Sequence, residues 1–352
     1  MRLRRLQRNG LPFGQRVIYK QPDFCHGADH MKPADRMPEA ESGAVADAVQ
    51  GNWVDRWAPR AARPYLRLSR ADRPIGTWLL LLPCWWGLAL AALATGRFGW
   101  EGAWIALGCA LGAFLMRGAG CTWNDVTDRH IDGAVARTRS RPIPAGQVRV
   151  VQALIWMAAQ SLVSLVILLT FDWAAIWLGV ASLVPVAIYP FAKRFTWWPQ
   201  VFLGLAFNWG ALLAWAALAG SLSLAPLVLY LSGIAWTLFY DTIYAHQDAE
   251  DDALIGVKST ARLFGDRTKT WLRGFLVATV LLMGFAVLLA ARDRSMLSLV
   301  VALGGPWAIG WHMSWQLSRF DASDNAGLLR LFRSNRDAGL LPVLFSAAAL
   351  AL

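Results

Sequence analysis

From Ile75 to Leu352 the chain returns repeatedly to apolar stretches about as long as a bilayer is thick. A helix needs about 20 mostly apolar residues to cross the hydrocarbon core. Nine stretches qualify: 75–94, 102–123, 148–170, 174–191, 198–219, 225–244, 271–291, 296–317 and 338–352. The fourth and the ninth are the shortest. Unsatisfied backbone groups cost several kcal/mol in lipid, so these stretches form helices rather than an open sheet. The fold class is therefore all-α, a polytopic membrane protein with about nine transmembrane helices.

Composition agrees. Hydrophobic residues make up 56% of the chain and charged residues 16%, where soluble chains carry about 25% charged. The net charge of +11 would suit nucleic acid if it were spread over one face. It is not. The loops after the even-numbered stretches hold 14 Lys and Arg, and the loops after the odd-numbered ones hold three, Arg97, Arg292 and Arg294. The tail up to Arg73 adds 14 more to the first side. This is the bias that places basic loops against an anionic cytoplasmic leaflet. It puts the N-terminus and the even loops in the cytoplasm. The 20 tryptophans suit the two membrane interfaces, with Trp85–Trp86 and Trp197–Trp198 as belt pairs.

Residues 1–60 are polar, with Pro, Gly and mixed charge, and read as a disordered extension. The transmembrane domain then occupies 61–352. No apolar segment precedes a cleavage site, which excludes a secretory signal. Arg2, Arg4, Arg5, Arg8 and Arg16 resemble the start of a transit peptide; translation from Met31 or Met37 explains them equally well. Cys25, Cys84, Cys109 and Cys121 show neither paired nor zinc-ligand spacing.

Two acidic clusters carry the chemistry. NDVTDRHID (124–132) follows the second apolar stretch, and Asn124, Asp128 and Asp132 at i, i+4 and i+8 line one helix face. DTIYAHQDAEDD (241–252) ends the sixth stretch, with Asp241, Tyr244, Asp248 and Asp252 on one face. Both fall on the same side of the membrane. Two carboxylates about 6 Å apart repel by roughly 3 kcal/mol at an effective dielectric of 20. Such density at a membrane boundary calls for cations. Hard oxygen ligands beside a phosphate are the usual surroundings of Mg²⁺. One cluster alone could be a solvated loop at a helix end. Two of matching spacing and topology point to a diphosphate flanked by metal positions.

Basic residues complete the pattern. Tyr189, Lys193 and Arg194 stand where the fourth stretch meets its loop. Arg137 and Arg141 follow the first cluster, and Lys258 follows the second. A diphosphate needs such donors, and Arg contacts it bidentately; each residue taken singly is equally explained as a positive-inside anchor. Arg117 differs, because it lies inside the second stretch, where a charge is expensive and faces a polar interior. Seven residues before Asn124, it shares that face, either to neutralise carboxylates or to hold substrate.

These residues resemble the intramembrane aromatic prenyltransferase (UbiA) superfamily, most closely its 4-hydroxybenzoate polyprenyltransferase branch. The resemblance covers about residues 65–352. It is carried by YLRLSRADRPIGTWLL, RGAGCTWNDVTDRHIDGAVARTRSRPIPAG, YPFAKRFTWWPQ and YDTIYAHQDAEDDALIGVKSTARLFG. The last run sets this branch apart from haem-farnesylating, menaquinone and chlorophyll-type relatives. The resemblance implies helices around a central cavity with a cytoplasmic cap, in a bacterial inner membrane or, in a eukaryote, the mitochondrial one. It implies Mg²⁺-dependent transfer of a polyprenyl group from its diphosphate to the ring carbon ortho to the hydroxyl of 4-hydroxybenzoate, in ubiquinone biosynthesis. Asn124, Asp128 and Asp132 match its first motif, and Asp248 and Asp252 its second. Arg129 and Arg194 match residues that handle substrate, and Lys193 and Arg137 match diphosphate contacts. Asp241 is the candidate base or orienting group. The acceptor carboxylate needs a cation, for which Arg73 and Arg194 compete. A sister enzyme with another aromatic acceptor remains an alternative, as does a transporter. Transporters place coupling charges near the bilayer midplane, whereas these clusters lie at stretch ends.

Overall fold

A computed structural model describes residues 48, 49, 51–134 and 138–352, and no strand occurs among them. Two short helices, α1 (Trp53–Trp57) and α2 (Arg63–Leu68), lead into α3 (Ile75–Thr95) and α4 (Gly99–Ala134). Then come α5 (Val150–Leu168), α6 (Trp173–Ala181), α7 (Leu183–Phe195), α8 (Pro199–Ala219) and α9 (Leu224–Ala245). A short cap of α10 (Ala249–Ile255) and α11 (Thr260–Phe264) precedes α12 (Thr268–Ala290), α13 (Met296–Ser318) and α14 (Asn325–Leu350).

Eight segments among the described residues are long and apolar enough to cross a membrane. They match the first eight expected stretches. The fourth is built from two helices, α6 and α7, that meet at Ser182. Pro185 has no N–H to give the Ala181 carbonyl, so the regular ladder stops there. The ninth stretch belongs to a longer helix: α14 starts at Asn325, where the Asp324 side chain accepts from the Gly327 N–H. Its first half carries Arg330, Arg333, Arg336 and Asp337, and only its second half is the apolar ninth stretch.

Burial sorts the helices. α3, α8 and α9 bury 67%, 61% and 67% of their spanning windows inside the protein, while α5 buries 11% and α6–α7 17%. The former make the centre, and the latter face lipid. Lipid is as apolar as Leu, so close packing and internal hydrogen bonds hold the centre together. Trp86 and Trp236 are fully buried, with ring centroids 4.8 Å apart. Trp86 Nε1 donates to Gly339 O at 2.7 Å and Trp236 Nε1 to Asn335 Oδ1 at 3.2 Å, tying α3 and α9 to α14. At Gly87 a β-carbon would stand 2.1 Å from the Ala211 carbonyl oxygen, so only glycine lets α3 and α8 approach this closely.

α4 has 36 residues, about 54 Å at 1.5 Å per residue. A membrane core about 30 Å thick cannot contain it. Its last turns therefore carry 124–132 out of the bilayer on an unbroken helix, as the sequence spacing requires.

The extension expected to run to residue 60 ends in folded structure. Asn52 caps α1, Trp53 Nε1 donates to Ala71 O at 2.9 Å, and Asp55 meets Arg67 at 2.7 Å. Burial works against the Asp55 charge, but hydrogen bonds from Arg67 and Asn52 outweigh it and hold the carboxyl below its ordinary pKa. Residues 1–47 and 50 lie outside the described residues.

Candidate active site

Three spaces open within the bundle, two of them at its basic end. The first is a charged cavity of about 320 Å³. Asn124 and Asp132 from α4, Asp241 and Tyr244 from α9, and Asp248 and Asp252 from the cap all line it, together with Arg141, Tyr189, Lys193 and Lys258. The two acidic clusters thus face one volume. The second cluster does so by a different route from the continuous helix face expected. α9 stops at Ala245, a 3₁₀ turn spans His246–Asp248, and α10 starts at Ala249. The four residues still point into the same cavity.

The cations are already engaged with the acids. Asp128 is fully buried and is held by Lys193 Nζ at 2.5 Å and Arg194 Nη2 at 3.2 Å, so it does not line the cavity. Arg141 Nη1 donates to Asp132 Oδ2 at 2.7 Å and reaches Asp125 Oδ1 at 3.4 Å. Asp125 is also fully buried and receives a 2.6 Å bond from Arg70. Breaking one partner of a buried pair costs about 3–5 kcal/mol, because the other charge is stranded. Each of these pairs is therefore held firmly until a new partner arrives.

The second space, about 690 Å³, adjoins the first and shares Asn124, Arg141, Tyr189, Leu203, Asp241 and Tyr244 with it. Its own walls add Arg70, Arg73, Arg117, Tyr240 and, from α14, Arg330 and Arg333. It is mostly cationic. Arg117 lies 5.4 Å over the Phe207 ring, its Nε has no hydrogen-bond partner, and a β-carbon at Gly76 would stand 2.4 Å from that nitrogen. A polar group so placed waits for an anion. Tyr244 stacks on Phe332 at 4.2 Å, giving the space a flat aromatic wall.

The third space, about 310 Å³, is an apolar channel among α3–α8, lined by residues such as Leu80, Gly112, Met116, Leu165, Leu168 and Phe171. Tyr189 lines all three spaces, and its hydroxyl donates to Gly120 O at 3.4 Å.

Two expected contacts are absent from these walls. Arg129 is exposed and donates to Val126 O of its own helix; one residue past Asp128, it is turned about 100° off the acidic face. Arg194 side chain is 44% exposed, bound to Thr127 O and Asp128 and lying over Phe191. Arg137 lies outside the described residues. Lys258 keeps its place on the charged cavity, where its Nζ donates to Phe195 O at 3.4 Å. Arg70 belongs to neither acidic cluster and Asp125 stands off the i, i+4 face of the first, so the spacing that singles out the other site residues points to neither.

The sequence model of the UbiA prenyltransferase family matches residues 80–335. The chain belongs to that family. Among curated relatives, the mitochondrial 4-hydroxybenzoate polyprenyltransferase of Rattus norvegicus is 49% identical over 286 residues, 81% of this chain and 74% of the relative. That of Homo sapiens is 45% identical over 318 residues, 90% and 82% of the two chains. Solved UbiA homologs share the fold. One from Archaeoglobus fulgidus bound to GPP and Mg2+ superposes with a TM-score of 0.61 at 19% identity, covering 82% of this chain and all of that one (100%). One from Aeropyrum pernix gives 0.56 at 22% identity, covering 78% and 96%. The UbiA frame thus accounts for the helical fold.

Proposed function

We propose that this UbiA-family protein transfers a polyprenyl group from polyprenyl diphosphate to the carbon ortho to the hydroxyl of 4-hydroxybenzoate, in ubiquinone biosynthesis. The observation that carries the reading is the meeting of three spaces at Tyr189. One fits a charged head group, one an apolar chain and one an anionic ring. The names of the curated relatives, at 45–49% identity, support the same acceptor.

The donor set fits Mg²⁺. Asn124, Asp132, Asp248 and Asp252 offer hard oxygens, with Asp128 behind them. Among the described residues no three acidic, His or Cys side chains approach closely enough to hold a metal by themselves. Mg²⁺ takes one or two carboxylates and completes its shell with substrate phosphate and water. When bound, it would withdraw charge from the departing diphosphate.

The chain's own residues do the rest. Lys193, Lys258 and Arg141 stabilise the diphosphate as the C1–O bond breaks and the electron pair leaves with oxygen. The apolar channel keeps water from the allylic cation. The ring carbon attacks C1, and the proton it then loses passes to a base. Asp241 stands on both the head cavity and the ring cavity and fills that role. Arg73 lines the ring cavity and Arg194 does not, so Arg73 is assigned the acceptor carboxylate. The protein sits in a bacterial or mitochondrial inner membrane, with the motif end toward the cytoplasm or matrix.

Membranes given 4-hydroxybenzoate, Mg²⁺ and prenyl diphosphates of several lengths should form a prenylated benzoate detectable by mass spectrometry. Product only with a phenol lacking the carboxylate would move the assignment to a sister enzyme. In a background without native cysteines, Ala253→Cys and Arg139→Cys should react with an impermeant reagent from one side, and Arg292→Cys from the other.

A further inference from the structure

Arg70 is the one non-glycine residue with positive φ among those described, at 57°. A long side chain rarely holds this left-handed conformation, and where it does the surroundings enforce it. What enforces it here is visible. Arg70, 7% exposed, reaches across 55 residues of sequence to Asp125, which is fully buried on α4. Asp125 lines neither the head cavity nor the ring cavity. It therefore does not present itself to substrate. It has one further described partner, Arg141, at 3.4 Å, and Arg141 is the residue that faces the head cavity and bonds Asp132 at 2.7 Å.

We propose that Arg70 is a positioning residue: it is the resident counter-ion of Asp125, and by neutralising that buried carboxylate it leaves Arg141 free to turn from Asp132 to the diphosphate. The inference rests on the function proposed above and extends it to a residue outside the acidic motifs. The chain runs Arg70, Asp125, Arg141, Asp132. With Arg70 in place Asp125 Oδ1 is paired at short range, and its hold on Arg141 is the longer and weaker of its two bonds. With Arg70 gone, Asp125 becomes a buried anion whose remaining partner is Arg141. The penalty for stranding a buried charge then locks Arg141 against α4. The head cavity loses a cation without any change in the residues that line its acidic side. The left-handed turn between α2 and α3 is what aims the Arg70 side chain at α4, which explains why the strain is kept.

The test is binding of inorganic diphosphate with Mg²⁺ to detergent-solubilised full-length protein, followed by titration calorimetry. Arg70→Ala should weaken binding about tenfold, and Arg70→Ala combined with Asp125→Asn should return it to within about threefold of wild type. Arg70→Lys, which keeps the charge, should fall between. In turnover assays the single variant should raise the Michaelis constant for prenyl diphosphate and leave that for the aromatic acid within about threefold. If the double variant binds as poorly as Arg70→Ala, Arg70 touches the diphosphate or merely supports the fold, and the proposal fails. If Arg70→Ala yields no folded protein, the double variant decides alone, since it holds no stranded carboxylate: diphosphate binding near wild type supports the relay, and its loss overturns it. Arg70 lines the ring cavity as well, so a raised Michaelis constant for the aromatic acid alone would make it a contact of the acceptor and equally overturn the proposal. Failure of the functional reading itself is distinguishable, because then wild-type protein would not bind diphosphate.

Discussion

The two ends of the bundle are made from the same helices but use their charges differently. At the motif end the buried carboxylates are held by cations: Lys193 and Arg194 hold Asp128, Arg141 holds Asp132, and Arg70 holds Asp125, while Arg194 and Lys258 also reach backbone carbonyls. At the opposite end Arg97 and Arg294 bind backbone, and the one ion pair among the described residues there, Arg292 with Asp293, is exposed. Arg294 Nε donates to Leu93 O at 2.8 Å and Arg97 Nη2 to Leu218 O at 3.3 Å. These carbonyls belong to the last turns of α3 and α8, where the helix dipole is negative and the acceptors lack intrahelical partners. Asp172, at the same end, caps the positive start of α6. A carboxylate can be handed from Lys or Arg to another cation. A helix terminus cannot be handed over without fraying the helix. One end is therefore exchangeable and the other fixed, and chemistry belongs to the exchangeable one.

The largest effect that would break this contrast is at the two acidic clusters. Asp248→Asn or Asp132→Asn should lower turnover about 10³-fold, the scale of losing one electrostatic element of a preorganised site, while membrane insertion is unchanged. Asp128→Asn should do the same by a different path, since it releases Lys193 and Arg194 from their buried partner. Normal turnover in any of the three, measured on quantified membrane protein, would remove that residue from the site.

Next comes the division between Arg73 and Arg194. The two were inseparable in the sequence, and the structure puts Arg73 on the ring cavity and Arg194 outside it. Losing a charge-assisted bond costs about 1.5–3 kcal/mol, or roughly tenfold to a hundredfold. Arg73→Ala should raise the Michaelis constant for 4-hydroxybenzoate by that factor. Arg194→Ala should change it less than about threefold and act instead on turnover, through Asp128. The reverse pattern would return the carboxylate to Arg194.

Much of this was open to reading without coordinates, for physical reasons that also mark where reading stopped. Lipid forces about 20 apolar residues per span, so the eight apolar spans stood out. The i, i+4, i+8 spacing of Asn124, Asp128 and Asp132 fixed a face because α4 continues unbroken to Ala134. A face says nothing of how deep each residue lies along it, so the complete burial of Asp128 beneath Lys193 was not visible. The break at Ser182 hid inside a uniformly apolar run. The start of α14 hid among its arginines. Arg70 was out of reach altogether, since a left-handed residue that is neither Gly nor Asn leaves no compositional mark.

A smaller effect separates the two halves of the polar N-terminal segment. A chain starting at Met31 should keep full activity, as the segment before it carries no motif. A chain starting at Ala61 loses the Trp53–Ala71 bond and leaves Arg67, only 5% exposed at its side chain, without Asp55. One stranded partner of this kind costs about 1–3 kcal/mol. α2 leads directly into the turn that bears Arg70 and Arg73, so specific activity should drop about threefold to tenfold. Equal activity of the two truncated proteins would show that α1 does not brace that turn.

The smallest effect lies at the fixed end, and it sharpens the contrast most. Arg97→Ala and Arg294→Ala each remove a donor from a helix C-terminus, an interaction worth about 0.3–1 kcal/mol at exposed sites and up to about 2 kcal/mol when partly buried. Arg294 is the better buried of the two, with Nη2 shut away from solvent, so its loss should lower the melting temperature more. Neither Arg97 nor Arg294 lines any of the three spaces. Turnover and both Michaelis constants should therefore stay within about twofold of wild type below the melting transition. If Arg294→Ala instead weakened diphosphate binding, α3 would be transmitting strain along its length to Gly76 and Arg117. The two ends would then be coupled, and the division between an exchangeable end and a fixed one would not hold.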